Sequence, residues 1–567
     1  MKILKINNQV IRRVIGILPF YFFTFLPLSA QPGWTKSATK SVFTLKTFAA
    51  DGSMIASTNG FYTGTRGEAV SNFTPFKGAA RAIIIDAQGK EYQVTGILGA
   101  NDMYDVVKFR VNNAKSQPLA ISSAFAPIGS TAWLLPYHEV KSLINGPIRK
   151  AETIFNEYPY YTVAMTMTES MVSCPLLNDA GEVIGMMQQP ASAKDTLSYA
   201  VSARFVDSLK ITGLTFNDAT LRLTQIKKEL PADIKEANLT LYLAASQMDS
   251  IGYATLIEDF IQQFPSAPDG YTTRALQEAA KGDFAAAEQD MEQAIKLSSA
   301  KDDAHFTYAR MIYNKEIYQS QQPYTGWNLD KALSEIQKAN NINLQPTYRQ
   351  LEANILFAQQ KYDEAYQIYM ELTKTNLRNA EVFFSAARCK EMQKDTTAML
   401  ALMDSTLNTF SKPYLKEAAP YLWSRAVARS EASKYRDAVA DMNDYETLMT
   451  ADVNDNFYYV RHQTEIKGRF YQQALNDIDK AIQINPQEIL YYAEKASLEI
   501  RVGMYDNAIA TAQECIGLDA NNSDGYLFLG LAQCLKGQKE EGIKNLQKAK
   551  ELGDSQADAL IEKYAVK

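Results

Sequence analysis

"PLLNDAGEVIG" (residues 175–185) sets two short apolar runs around the turn Asp179-Ala180-Gly181, with Val183 and Ile184 restarting the second run. Asx and Gly at such a joint tolerate the backbone angles of a tight turn, so the stretch reads as two strands joined by a hairpin. The residues just ahead of it, Met171, Val172, Ser173 and Cys174, occupy the place that such a hairpin displays. Outward from it, residues 41–207 keep a period near two. "SVFTLKTF" (41–48), "MIASTNGFYTG" (54–64), "RAIIIDA" (81–87), "EYQVTGIL" (91–98), "DVVKFRV" (105–111), "STAWLLPY" (130–137) and "YTVAMTM" (161–167) are further strand candidates. Gly, Asn, Asp and Pro separate them at intervals that suit a sandwich or a pair of small barrels.

The chain has 567 residues, too many for a single core, so two to four domains are expected. A 46% hydrophobic and 22% charged composition is that of a folded protein. A net charge of −6 and a pI near 5.5 argue against nucleic acid or an anionic membrane as the main partner. Lys2, Lys5, Arg12 and Arg13 precede the apolar run "VIGILPFYFFTFLPL" (14–28), and Ser29-Ala30 follows it. That order reads as a signal peptide over 1–30, so the protein is expected to be exported, to the periplasm first, with secretion or surface attachment as the other destinations. An N-terminal membrane anchor is the competing reading of this run. No later run is apolar enough to span a bilayer. Cys174, Cys389, Cys515 and Cys534 form no CxxC, and only three histidines occur, so no metal site and no cofactor are expected. Cys515 and Cys534 fall on neighbouring helix candidates, either bridged or as two buried thiols, the plainer of the two readings.

From about residue 236 the period becomes helical and a repeat appears. "GDFAAA" (282–287), "KYDEA" (361–365), "KYRDA" (434–438), "FYQQA" (470–474), "MYDNA" (504–508) and "QKEEG" (538–542) recur, with looser copies "NLDKA" (328–332) and "KDTTA" (394–398). Their last residues, from Ala287 to Gly542, lie 33 to 45 residues apart, most often 33 or 34. Positions four and seven further on put a bulky and a small residue on the same helix face, as with Ile478 and Ala481. A 34-residue helix–turn–helix period resembles the tetratricopeptide repeat, which implies eight or nine repeats stacked as an all-α superhelix over 236–553. Tyr253, Ile257 and Phe260 suggest a degenerate first copy, "YQSQQPYTGW" (318–327) a loop insertion, and 554–567 a capping helix. Residues 208–235 are expected to be a linker.

The β half resembles a trypsin-like serine peptidase of the bacterial high-temperature-requirement type, over 41–207 and in the right order. "GFYTGTRGEAVSNFTPFKGA" (60–79) resembles the segment with the catalytic His, "EYQVTGILGANDMYDVVKFRV" (91–111) the segment with the Asp, and "SMVSCPLLNDAGEVIG" (170–185) the nucleophile segment. The resemblance implies an all-β double barrel ahead of the helical array. Carried over by position, the His place holds Thr74, the Asp place Asp105 and the Ser place Val172. Ser170, Ser173 and Cys174 replace glycines that shape the family's oxyanion hole. A serine hydroxyl attacks only when a base removes its proton, and Thr74 is no base while Val172 has no proton to give. Asp105 is then expected to cap a turn. No catalytic residue is assigned, and the domain is expected to be a pseudopeptidase. The alternative is an envelope serine peptidase with a rearranged site that uses Ser170, Ser173 or Cys174 with His138 as base.

Tetratricopeptide arrays resemble one another in holding peptides or partner proteins along the first helix of each repeat. Transfer of those positions points to Phe383, Trp423, Tyr459, Gln463, Lys467 and Arg501 as peptide-binding candidates, though aromatics suit repeat packing as well. Asn354 stands without the Lys/Asn partners of a carboxylate clamp. The whole reads as an exported, non-catalytic interaction protein; oligomeric state is left open.

Overall fold

The structure is a computed structural model that describes residues 32–113, 115–137, 143–154, 158–190 and 196–565. The expected signal segment 1–30 and His138 lie outside the described residues. The chain divides into two compact units, 1–270 and 271–567.

The first unit holds two closed antiparallel barrels of six strands each. Strands β1 (Val42–Phe48), β2 (Met54–Tyr62), β3 (Glu68–Ser71), β4 (Arg81–Ile85), β5 (Glu91–Asn101) and β6 (Val106–Val111) close in the order β1-β2-β3-β6-β5-β4. Strands β7 (Thr131–Leu134), β8 (Ile144–Ile154), β9 (Tyr158–Val163), β10 (Pro175–Leu177), β11 (Val183–Met187) and β12 (Ser198–Ser202) close as β10-β11-β12-β9-β8-β7. Closure leaves no strand edge free to template another chain. Phe43, Leu45, Ile84 and Phe109 fill the first barrel, and Leu134, Tyr161, Val163 and Leu176 the second. A third cluster, with Phe61, Val106, Leu135, Leu177 and Val183, cements one barrel to the other.

The hairpin read from "PLLNDAGEVIG" is β10–β11. Asn178 N–H donates to Glu182 O at 2.9 Å, Gly181 N–H donates to Asn178 O at 3.0 Å, and Gly181 takes a φ of +81°. Glycine is needed there twice over. An L side chain is strained at that angle, and a Cβ would come within 2.6 Å of the Trp34 ring that lies over the turn. Two indoles fasten the turn, Trp34 Nε1 donating to Asp179 O at 3.1 Å and Trp133 Nε1 to Asp179 Oδ1 at 2.7 Å.

Residues 208–235 are not a linker. Ile211, Phe216, Leu221, Ile226 and Leu230 are buried in the core of the first barrel, and Lys228 bridges to Ile97 as a short parallel strand. Five apolar side chains without a regular period escape a search for periodicity, yet each removes apolar area from water as a strand residue does. The helices Ile234–Ala244 and Ser250–Gln263, which carry the degenerate first copy, join the same core through Leu241, Ile257 and Phe260.

The second unit is an array of antiparallel helix pairs. From a helix Pro268–Lys281 that spans the division, the pairs continue with Phe284–Leu297, Lys301–Tyr318 with Leu329–Ile342, Pro346–Ala358 with Tyr362–Leu372, and Ala380–Met392 with Thr396–Leu407. Then come Ala419–Glu431 with Tyr435–Leu448, Asp455–Gly468 with Tyr471–Ile484, Ile489–Arg501 with Tyr505–Leu518, and Ser523–Leu535 with Lys539–Glu551, before a last helix Ala557–Ala565. The repeat anchors are the points of closest approach: Ala287, Ala332, Ala365, Ala438, Ala474 and Ala508 are fully buried, and only Ala398 is half-buried. At Gly542 a Cβ would meet Gly530 O at 2.7 Å, so two small residues let those helices touch. The insertion 318–327 is a loop whose Trp327 is buried and whose Tyr324 hydroxyl donates to Glu288 at 2.6 Å. All four cysteines are free and buried. Cys515 packs with Tyr492 and Ala493, and Cys534 packs with Leu527 and Leu546, in separate clusters.

Candidate functional site

The barrels bring the three triad places of the resemblance close to one seam. Thr74 opens a short 3-10 turn after β3, Asp105 ends the loop between β5 and β6, and Val172 follows the 3-10 turn Glu169–Met171 that leads into β10. Asp105 Oδ1 accepts the Thr74 N–H at 2.6 Å and the Thr74 hydroxyl at 2.8 Å, and Asp105 O accepts the Phe73 N–H at 3.2 Å. The carboxylate therefore caps a turn. A threonine hydroxyl that donates to a carboxylate has its proton engaged and offers no basic nitrogen.

Val172 is buried and inert. Its N–H donates back to Glu169 O at 3.2 Å, Met171 N–H to Thr168 O at 3.0 Å, Ser173 N–H to Met187 O at 2.9 Å and Cys174 N–H to Met171 O at 3.2 Å. An oxyanion hole needs backbone N–H groups that converge on open space, and four consecutive donors here are spent inside the fold. Ser173 sits at φ +63°, a left-handed conformation that glycine takes freely and serine does not.

Sequence reading missed what fills the seam. Asn59 on β2 reaches from the first barrel to the second, its Nδ2 donating to Ser170 O at 2.8 Å and to Val172 O at 3.0 Å. Ser173 Oγ donates to Asn72 Oδ1 at 2.7 Å and accepts the Asn72 N–H at 3.1 Å. The Thr58 hydroxyl also donates to Asn72 Oδ1 at 3.1 Å, and the Ser71 hydroxyl donates to Asn59 O at 2.5 Å. Asn59, Ser71, Asn72 and Ser173 are all buried. A buried network with its members paired rigidifies the surface it joins and leaves no hydroxyl free to react. Partners more than 100 residues apart give no local signal of this kind.

The replacement nucleophiles fare no better. Ser170 is exposed and shares a hydrogen bond with Thr168 Oγ1 at 2.7 Å. Cys174 is wholly buried, and burial pushes its thiol up to about 12, far from the thiolate that attacks. Among the described residues of the first unit there is no histidine. No group of three or more metal-ligating side chains occurs among the described residues.

The peptide-binding candidates divide. Phe383 is buried in a repeat core and has the Arg378 guanidinium over its ring at 5.2 Å. Trp423 packs against Tyr445 of its own repeat and Phe457 of the next at centroid distances of 5.3 and 5.8 Å. Tyr459, Gln463 and Lys467 share the helix Asp455–Gly468. Gln463 donates to the Tyr459 hydroxyl at 2.7 Å, and Tyr459 lies 5.2 Å from the Tyr491 ring. Lys467 and Arg501 are exposed, each near the end of its helix. Asn354 accepts from the Tyr369 hydroxyl at 2.6 Å and holds its own repeat together.

The first unit is thus a pair of closed six-stranded antiparallel barrels joined by this seam, and the helix pairs that follow in sequence form an array like that of tetratricopeptide repeats. The tetratricopeptide repeat profile matches residues 490–522, the helix pair that begins at Ile489. The small glutamine-rich tetratricopeptide repeat-containing protein 2 of Saccharomyces cerevisiae is 30% identical over 95 residues, 17% of this chain and 28% of that one. The tetratricopeptide-repeat-containing thioredoxin TDX of Arabidopsis thaliana is 30% identical over 97 residues, 17% of this chain and 25% of that one. The Hsp70-Hsp90 organizing protein of Triticum aestivum is 22% identical over 191 residues, 33% of this chain and 32% of that one. This chain thus spans about a quarter to a third of the length of these relatives. Among solved structures, the active form of the Mycobacterium tuberculosis protease Rv3671c is similar at 16% identity and a TM-score of 0.28, over 31% of this chain and 82% of that one. A serine endoprotease from Yersinia pestis is similar at 14% identity and a TM-score of 0.27, over 31% of this chain and 62% of that one.

Proposed function

We propose that this chain is a non-catalytic interaction protein. Its double barrel is a pseudopeptidase kept for its shape, and its tetratricopeptide array holds a protein or peptide partner. One observation carries the reading: at the seam where the resemblance places a triad, the side chains and amides are hydrogen-bonded to one another instead of standing open to a substrate. Catalysis of acyl transfer needs an activated nucleophile and a preformed anion site, and both sets of groups are consumed. The helical array supports the binding half of the proposal, because stacked repeats present an extended surface suited to a polypeptide. Export to the periplasm rests on the basic and apolar order of residues 1–30, and cell fractionation tests it.

The direct test of the barrel is labelling of the purified chain by a fluorophosphonate probe, beside an active trypsin-like enzyme as control. The proposal expects no labelled band. Labelling that disappears in Ser170→Ala or Ser173→Ala would show a working site in another register.

A further inference from the structure

In two successive repeats the array carries a buried carboxyl group that its own ion pairs pass over. Glu465 on helix Asp455–Gly468 and Glu499 on helix Ile489–Arg501 lie 34 residues apart, at the same place in their repeats. They are 3% and 2% exposed, and one oxygen of each, Oε2, has no hydrogen-bond partner. Lys467, two residues on, is exposed, and the cation one turn earlier on the same face as Glu465 is Arg461. Its guanidinium donates to both oxygens of Asp477, at 2.5 and 2.9 Å, to Asn443 Oδ1 at 2.9 Å and to Glu446 Oε2 at 2.7 Å. Arg461 is thus committed elsewhere. The groups that act on Glu465 are Arg461 on its own helix, Asp477 and Lys480 from the following helix, and Glu446 from the preceding one. Around Glu499 stand Lys495 on its own helix, Asp479 from the preceding helix, and the Thr511 hydroxyl and Glu514 from the following helix. Lys495 is paired with Asp479 at 2.7 Å. His462, fully buried on the same helix as Glu465, turns Nδ1 to Ala474 O at 2.8 Å, its Nε2 has no hydrogen-bond partner, and burial disfavours its charged form.

The two repeats before these fill the same position differently. One repeat earlier it is Arg429, which joins Asp404 and Asp441 at 2.8 Å each, and in the repeat before that it is the buried Cys389. The first repeat again has an acid there, the half-buried Glu278, but the deeply buried pair in successive repeats is Glu465 and Glu499.

We propose that the two repeats 455–484 and 489–518 are a pH-responsive segment of the array, packed tightly while Glu465 and Glu499 are protonated and loosened as they ionise. A charged carboxylate in a dry, unpaired position is costly, and opening the helix pair to water relieves that cost. Burial holds both acids above the ordinary carboxyl range, and for Glu465, at about 8, the loosening accumulates as pH rises from that ordinary range toward this value. The direction follows from linkage. An acid whose value is raised on folding stabilises the fold fully at pH values below its unfolded value near 4.5, and that contribution is lost as pH rises through the folded value. Each such acid changes the opening equilibrium by up to about tenfold per pH unit within that interval.

Hydrogen exchange of the full chain, read by mass spectrometry at pH 6 and pH 9 and corrected for intrinsic rate, tests this. Protection in peptides from 455–468 and 489–501 is expected to fall by at least about tenfold at pH 9, while peptides from 380–407 keep theirs. Glu465→Gln/Glu499→Gln, neutral at both pH values and of the same shape, is expected to remove most of the difference. Equal protection of 455–518 at both pH values in the natural chain would overturn the proposal, whether or not the double variant folds. A loss that persists undiminished in a folded double variant would overturn it as well.

Discussion

At the scale of single residues, the seam between the barrels is closed by side chains that pair across it. Asn59 satisfies the carbonyls of Ser170 and Val172 from across the interface, and both carbonyls lose their only named partner if the amide goes. Asn59→Ala should cost about 1–3 kcal/mol of barrel stability, read as a lower denaturant midpoint at unchanged m-value. Restoring the lost side chains should not restore activity. In Thr74→His/Val172→Ser the new serine amide would still face Glu169 O, and Ser173 would still hold the strained left-handed backbone. Without the anion site, hydrolysis of a peptide ester by this variant should stay at the level of the natural chain, and burst kinetics would contradict that. That Thr74 and Val172 stand where the resemblance places a base and a nucleophile was legible from the sequence, because residue type settles whether a side chain can move a proton. The hydrogen-bond network around them was not, because Asn72 and Ser173 meet only through the fold.

At the scale of elements, the repeats follow a rule that local propensity states only in part. The residue at the turn between the two helices of a repeat is left-handed in Gly282, Gly503 and Gly537, and equally in Gln360, Lys394, Ser433 and Arg469. An L residue pays about 1–2 kcal/mol for that conformation. Lys394→Gly and Ser433→Gly should therefore stabilise the array by about 0.5–1 kcal/mol each, net of the freedom glycine adds to the unfolded chain, seen as a rise in the helical melting temperature. Ion pairs also tie the two helices of a repeat together. Arg274–Asp290, Arg425–Asp441 and Arg461–Asp477 each join residues 16 apart, first helix to second. Arg461→Met would strand the buried Asp477 and should cost about 3–5 kcal/mol, part of which Asp477→Leu should recover in the double variant. Small anchors such as Ala474 were visible as a 34-residue period. Arginine and glutamate in the core were not, because helical periodicity assigns charge to the solvent side and only the facing helix reveals the partner.

At the scale of the whole molecule, the division falls at Gly270 and not at the end of the last barrel strand. Periodicity placed a linker at 208–235 because no regular pattern runs through it, whereas Ile211, Phe216, Leu221, Ile226 and Leu230 complete the first barrel's core. A chain ending at 207 should be insoluble or bind hydrophobic dye, while one ending at 270 should fold, which expression and dye binding decide. The order of barrels and array was legible from the change of period near residue 236. What the two units hold is the proposal, and it stands on the barrels being inert. The measurement that tests this most directly is release of fluorescent fragments from a labelled unfolded protein by the purified full chain between pH 6 and 9. No release above buffer is the result predicted at every pH. Release that is abolished by Ser170→Ala or by Ser173→Ala would contradict the account and make this chain a peptidase with a rearranged site.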